Sequence, residues 1–234
     1  MEVTVVGMIY KSPSYLDFMM RGIQRYGSSA IHNVDYLIVA NDATPTILEK
    51  LKTDRTYHVV YTDYYPNDFY ITRVYRAWNF GGKAAKGDVI VFINSDMAFT
   101  PNWLDRLLEN LTPHTIPCSL LVESGKLASG LHAISKDFGR RPDQFRETEF
   151  LQFAQTIQSH KHVAGGLFMP CAFYKKDFIE SGGYPEGNVY ENGVFKFSGD
   201  HYFFYENQKM KTKQHVTILD SIVYHIQEGE KDYT

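Results

Sequence analysis

The residues in this chain best suited to chemistry stand at the ends of apolar runs. Asn94-Ser95-Asp96 follows Val89-Ile90-Val91-Phe92-Ile93, the most apolar run in the sequence. A carboxylate at the end of a buried strand can hold a hard divalent cation, which then bridges the oxygens of a diphosphate. The plainer role for Asp96 is to cap the next helix. Two further runs end in polar residues: Val3 to Ile9 leads to Tyr10, and Tyr36-Leu37-Ile38-Val39 leads to Asn41-Asp42. Other nucleotide and metal signatures are missing. The sequence has no GxxxxGK[ST] and no HExxH, and no GxGxxG follows the first run. Gly81-Gly82-Lys83 falls within or at the end of a helical segment and is not followed by Ser or Thr. Ser159-His160-Lys161-His162 reads as a solvated loop. Cys118 and Cys171 lie in apolar stretches without ligand spacing and read as buried thiols of a reducing compartment.

The elements that must position these residues alternate between two periods. Val3 to Ile9, Tyr36 to Val39, Val59 to Tyr61 and Val89 to Ile93 are short and β-branched, as strands are. Between them Leu16, Met19, Met20 and Ile23, then Ile47, Leu48 and Leu51, then Ile71, Val74, Tyr75 and Trp78 recur at helical spacing. Strands separated by helices imply right-handed crossovers and a mostly parallel sheet covered on both faces. The run at Val89 has no alternation, which predicts a central strand. In such sheets ligands bind outside the carboxyl ends of the strands, so Tyr10, Asn41-Asp42 and Asn94-Ser95-Asp96 are expected along one rim. Thr100-Pro101 predicts a helix start, with Thr100 as N-cap and Pro101 as the first helical residue, ahead of Trp103, Leu104, Leu107, Leu108 and Leu111. After residue 112 the pattern is less regular. A helix is expected over Asp143 to Ile157, a short one over Lys176 to Glu180, and a strand from Val216 leading to Tyr224-His225.

Composition narrows the function. The chain has 234 residues, 44% hydrophobic and 22% charged, enough apolar material for a packed core. Its net charge of -3 argues against broad binding to nucleic acid, which rests on massed Lys and Arg. No apolar run reaches the ~18–20 residues that cross a bilayer, and Met1 to Tyr10 has neither the basic start nor the cleavage site of a signal peptide. A cytoplasmic α/β protein of one domain, 1–234, is expected, with a division of labour near residue 112.

Asn79, Ala84-Ala85-Lys86-Gly87-Asp88, the central strand and Asn94-Ser95-Asp96 resemble the nucleotide-sugar site of GT-A glycosyltransferases, specifically glycosyltransferase family 2. Gly182-Gly183-Tyr184-Pro185-Glu186, Ser198-Gly199-Asp200 and Tyr224-His225 resemble later landmarks of that family, in the same order. The resemblance implies a GT-A, Rossmann-like α/β/α sandwich with a donor half, 1–112, and an acceptor half, 113–234. It also implies roles. Tyr10 lies along the nucleotide, Asp42 accepts a hydrogen bond from the base, and Arg73 meets base or ribose. Asn79 belongs to the donor site. Asn94-Ser95-Asp96 replaces the family's DxD motif, with Asp96 as the metal and diphosphate residue and His225 completing the site for Mn2+ or Mg2+. Asp200 stands where the family has its general base, with Glu186 as the fallback.

Two positions depart from that pattern: Asn94 replaces the first Asp of DxD, and Gly199 replaces the Glu before the base, where it would let the backbone approach the substrate. The expected activity is inverting transfer of a sugar from a nucleotide-diphosphate donor, in first place a UDP-sugar, to an acceptor hydroxyl. The acceptor is a glycan, a lipid-linked sugar, a protein or a modified nucleic-acid base, the last served by Lys136, Arg140, Arg141 and Arg146. The rivals are a sugar-nucleotide-forming nucleotidyltransferase and a catalytically dead nucleotide-sugar-binding domain. The loop Asn188 to Phe195 is expected to shape the acceptor pocket. The tail, Ile226 to Thr234, is expected to lack an apolar anchor and to be mobile until donor binds.

Overall fold

In a computed structural model of the chain, residues 1–52, 57–62, 69–166 and 168–230 are described; the expectations for 231–234 of the tail and for Leu167 of the glycine-rich stretch lie outside them. Four parallel strands form one side of the sheet in the order β3 (Tyr57–Tyr61), β2 (Asn33–Asn41), β1 (Glu2–Ile9), β4 (Val89–Asn94). The helices between them are α1 (Pro13–Tyr26), α2 (Pro45–Lys52) and α3 (Tyr70–Ala84). Ser12 caps α1 by accepting the Tyr15 N–H, and Pro13 takes a first-turn position where a missing N–H costs nothing. Leu16, Met19, Met20 and Ile23 form its buried stripe, as their spacing predicts. Val89 to Ile93 have no exposed surface at all, which is why that run shows no polar alternation.

The second half extends the same sheet. β5 (Met97–Phe99), α4 (Trp103–Leu108), β6 (Thr115–Glu123), β7 (Ile134–Ser135), α5 (Glu147–Ile157), β8 (His162–Ala164), β9 (Cys171–Tyr174) and α6 (Lys175–Ser181) come first. A hairpin of β10 (Val189–Glu191) and β11 (Val194–Phe197) follows. A short α7 (Gly199–His201) then runs into a π-turn over Tyr202–Glu206, and β12 (Gln214–His225) closes the sequence of elements. β9 is antiparallel to both β4 and β6, β12 is parallel to β6, and β5 is antiparallel to β12. β12 is one strand with an irregularity in its pairing between Ile218 and Ile222. Cys118 and Cys171 face each other in adjacent strands as free, fully buried thiols. Among the described residues, no helix is long and apolar enough to cross a membrane.

Two expectations about helix starts are corrected. Thr100 does not cap α4; its hydroxyl donates to the Ile222 carbonyl at 2.9 Å, tying the turn to β12, and Asn102 takes the N-cap position with φ 61°. Asp143 to Ile157 is not one helix but a 3₁₀ turn, Pro142–Gln144, followed by α5. Phe145 breaks it, because its extended backbone turns the ring inward to stack on Tyr224 at 5.3 Å and meet Phe18 edge-on at 5.3 Å.

The tail is anchored as far as Glu230, contrary to expectation. Ile226 is fully buried, Gln227 is 2% exposed, and the Ile226 N–H donates to the Asp96 carbonyl at 3.0 Å. Glu230 supplies a polar anchor. Its carboxylate accepts from the N–H groups of Tyr10 (3.2 Å), Lys11 (2.8 Å) and Ser12 (2.9 Å) and from the Ser95 hydroxyl (2.8 Å). Ser12 is the N-cap of α1, so the carboxylate also sits where the helix start favours negative charge.

Helix α3 lies close to its neighbours through glycine. A Cβ on Gly81 would come within 2.6 Å of Val39 Cγ2, and one on Gly82 within 2.3 Å of the buried Phe178 ring. Gly82→Ala should therefore destabilise the fold by about 1–3 kcal/mol in urea unfolding, even though Ala gains ~1 kcal/mol of helix propensity. A more stable variant would contradict the packing argument. For the tail, Glu230→Ala should raise amide hydrogen exchange at Lys11 and Ser12 roughly tenfold while β1 stays protected. Unchanged exchange would mean that other contacts hold this turn.

Candidate active site

A cavity of about 320 Å³ opens at the carboxyl ends of the strands. Tyr10, Arg73, Asn94, Ser95, Asp96 and His225 all line it, joined by Asn41, Tyr70 and the segment Glu228 to Glu230. Seven positions singled out in the sequence, Asn41 included, thus converge because β1, β2, β4 and β12 end on one rim and α3 begins beside it. Asp42 stands one residue beyond the lining, in a left-handed conformation (φ 49°). Its carboxylate meets the Lys11 ammonium at 3.1 Å and accepts from the Tyr10 hydroxyl at 3.5 Å. Arg73 and Lys11 place their charges 5.9 and 4.5 Å from the Tyr10 ring centroid. Asp42 and Arg73 therefore approach one tyrosine from different elements.

Asn79 does not join this group. Its side-chain N–H donates to the Tyr184 carbonyl at 2.9 Å, and its oxygen accepts the Tyr184 N–H at 2.8 Å. Both ends of the amide are spent bracing the Gly183-Tyr184 turn against α3. A Cβ on Gly183 would come within 2.3 Å of this amide oxygen, so the turn also requires glycine.

The charged centre of the cavity is Asp96 with His225. Asp96 is 6% exposed, and its Oδ2 lies 3.4 Å from His225 Nε2 while also accepting the Gly229 N–H at 3.2 Å. The other face of the ring meets Glu123, whose Oε1 is 3.1 Å from His225 Nδ1. Burial works against charge on this imidazole, but Asp96 and then Glu123 outweigh it and raise its pKa to about 10. Burial likewise pushes both carboxyls up, and the interactions with His225 overcome it, leaving both below their ordinary range. Sequence reading missed Glu123. The signal was present: Glu123 ends an apolar run, as Asp96 follows its own.

These residues offer one carboxylate and one imidazole to a cation at the cavity. Among the described residues, no group of three or more His, Cys, Asp or Glu is arranged to hold a metal ion. Completed by phosphate oxygens and water, such a set would suit Mn2+ better than Mg2+, which takes oxygen ligands throughout. His225 would lose its Nε2 proton on binding it.

A second polar centre lies outside the cavity lining. Asp200 Oδ2 accepts from the Tyr75 hydroxyl at 3.0 Å, and the same hydroxyl oxygen accepts the Asp200 N–H at 3.1 Å. Burial raises the Asp200 pKa to about 6, partly offset by the Tyr75 hydrogen bond. Burial, reinforced by Asp200, raises the Tyr75 phenol too, so it remains a donor. Asp200 is not the cap of its helix; Ser198 is, accepting the His201 N–H. Gly199 does not open room for substrate: a Cβ there would lie 2.2 Å from the Tyr75 ring, so it makes room for the partner of Asp200. Glu186 is exposed and paired with Arg76 at 3.1 Å. The expected loop is the β10–β11 hairpin, turning at Asn192-Gly193 with φ 51° and 76°, as a tight hairpin requires. Tyr190, Val194 and Phe195 on it are exposed. Arg140, Arg141 and Arg146 pair with Asp137, Asp143 and Glu149, and Lys136 lies 3.9 Å from the Phe153 ring centroid.

Comparison with known proteins agrees with this geometry. No curated protein matches the chain. Among solved structures, S. aureus TarS residues 1–349 superpose with a TM-score of 0.60 at 12% identity, covering 96% of this chain and 60% of that one. GalNAc-T7 with UDP, GalNAc and Mn2+ gives 0.60 at 14% identity, covering 96% and 43%. At such identities the likeness is one of fold, a mixed α/β GT-A arrangement, and this chain spans 60% or less of each structure's own length. The sequence profile of Glycosyl transferase family 2 matches residues 38–181, which run from the second strand through Asp96 to the end of α6. On that match, more than half its length, the chain belongs to glycosyltransferase family 2.

Proposed function

We propose that this glycosyltransferase moves a sugar, with inversion, from a nucleotide-diphosphate donor to an acceptor hydroxyl, with Asp200 as general base. The observation that carries this reading is the convergence of Tyr10, Arg73, Asp96 and His225 on one cavity, with the half-buried, proton-tuned Asp200 held by Tyr75 of α3, the helix whose first turns line that cavity. Tyr10, Asp42 and Arg73 would hold the nucleoside, their mutual contacts forming a ring-stacking and hydrogen-bonding wall. Asn94 and Ser95 would flank the diphosphate. Asp96 and His225 would hold Mn2+ or Mg2+, which supplies Lewis-acid stabilisation of the charge on the departing diphosphate. A UDP-sugar is the donor favoured, since one structural relative was solved with UDP and Mn2+.

The acceptor oxygen attacks the anomeric carbon from the face opposite the diphosphate. The new carbon–oxygen bond forms as the bond to the phosphate oxygen breaks, and the hydroxyl proton passes to Asp200. Tyr75 holds the receiving carboxylate in place by donating to it. A base with a pKa near 6 is ionised at neutral pH yet more basic than an exposed carboxylate. The β10–β11 hairpin leads directly into Asp200 and would form the acceptor side, with Tyr190 and Phe195 as an aromatic platform suited to a glycan. The halves 1–112 and 113–234 would thus serve donor and acceptor, except that His225, with Glu123 behind it, and Glu228 to Glu230 return to the donor side. The buried free thiols suit a cytoplasmic setting.

Asp96→Ala should abolish metal-dependent stabilisation by UDP in thermal unfolding while the variant remains folded. Undiminished stabilisation would remove Asp96 from the metal site. Asp200→Asn should still bind donor but transfer sugar at least ~100-fold more slowly, and the wild-type kcat/KM should rise with pH through about 6. Normal transfer by Asp200→Asn together with a large loss in Glu186→Gln would move the base to Glu186. Stability follows the same group. A raised carboxyl pKa favours the folded state below the ordinary value near ~4 and loses that contribution as pH rises through about 6. The stability gain of Asp200→Asn over wild type should therefore grow between roughly pH 4 and 6 and level off above.

A further inference from the structure

We infer that Glu123 is a positioning residue that fixes the ring of His225 so that Nε2 faces the cation site shared with Asp96. This rests on reading Asp96 and His225 as the metal-holding pair. The two residues are set by the sheet. β6 and β12 run parallel with His225 in register with Glu123, and each is the last residue of its strand. Side chains in register on neighbouring parallel strands point to the same face. The His225 backbone is fixed on both sides: its carbonyl accepts the Ser124 N–H at 3.1 Å, and it pairs with Met97 of β5 on the other edge. The ring then has one carboxylate at each nitrogen, Glu123 at Nδ1 and Asp96 at Nε2.

The two carboxylates are not equivalent. Asp96 lines the cavity, whereas Glu123 is 4% exposed, lies outside the lining, and spends its second oxygen on the Gly130 N–H at 3.3 Å. Glu123 is therefore unavailable to a cation in the cavity but well placed to accept from Nδ1–H. A neutral imidazole carries one ring proton. If an acceptor holds it on Nδ1, the lone pair is on Nε2, aimed at the cavity. A carboxylate behind a metal-binding histidine also makes the ring a stronger ligand.

The experiment measures Mn2+ affinity in the presence of UDP, by electron paramagnetic resonance of free Mn2+, for wild type, Glu123→Gln, Glu123→Ala, His225→Ala and the double variant Glu123→Ala/His225→Ala. Glu123→Ala should weaken Mn2+ binding 10- to 100-fold, the scale for losing such a partner. Glu123→Gln, which keeps the volume and one acceptor oxygen, should lose roughly tenfold or less, but measurably. His225→Ala should lose at least as much as Glu123→Ala, and the double variant should be no worse than His225→Ala, because Glu123 acts through that ring. A purely structural Glu123 would give additive losses, and additivity overturns the inference. Wild-type affinity in Glu123→Gln also overturns it, and that variant decides alone if Glu123→Ala does not fold. These results leave the metal reading standing as long as His225→Ala weakens binding. If His225→Ala binds Mn2+ as wild type does, the metal reading fails and this inference with it.

Discussion

One imidazole between two carboxylates ties together three strand ends at the rim of the cavity. His225 comes from β12, Asp96 from the end of β4, and Glu123 from β6, so three strand ends meet at a single ring. β4 and β6 are not neighbours; β9 lies between them and runs the other way. The ring therefore bridges the parallel half of the sheet and the mixed half at the rim where a ligand would enter. A buried triad of this kind is costly when one member is missing, because each charge relies on the others for its solvation. The surrounding chain is arranged to keep all three members in place. Ser124 binds the carbonyls of His225 and Ile226, Ile226 binds the carbonyl of Asp96, and Gly229 brings an N–H to the Asp96 carboxylate.

The second centre is built on a different principle. Among the described residues, Asp200 is held by the Tyr75 hydroxyl rather than by a cation, and desolvation raises its proton affinity. One carboxylate is thus kept ionised by a charged neighbour and the other is moved towards neutrality by burial. Environments that push two carboxyls in opposite directions are how a fold divides ligand binding from proton transfer.

Much of this was legible in the sequence because local and global preferences agree. The first four strands and three helices follow from β-branched runs alternating with helical stripes, and the polar residues at the strand ends fall on one rim because parallel topology puts them there. What escaped depends on partners far along the chain. Phe145 leaves the helical path to reach Tyr224, and Thr100 gives up capping to bind Ile222. Asn79 was assigned a ligand role from its place in a motif, yet its amide is used by Tyr184, over a hundred residues away. The tail has few apolar side chains, so composition alone suggested fraying. Its retention depends on Glu230 finding four donors, which no periodicity encodes. Gly199 is the subtlest case. Its reason is the ring of Tyr75, visible only once α3 and α7 are side by side.

Helix α3 belongs to both centres. Tyr70, Arg73 and Val74 on its first turns line the cavity, and Tyr75 beside them holds Asp200. Gly81 and Gly82 seat its far end against β-strand and α6 side chains with no space to spare. The helix is a shared axle: any tilt that reshaped the cavity would also move the hydroxyl that steadies Asp200. On the proposed assignment, donor preference and acceptor activation would not drift independently through this element. If the β10–β11 hairpin forms the acceptor side as proposed, acceptor preference would have a freer route there, since its exposed Asn192-Gly193 tip has open space around the glycine.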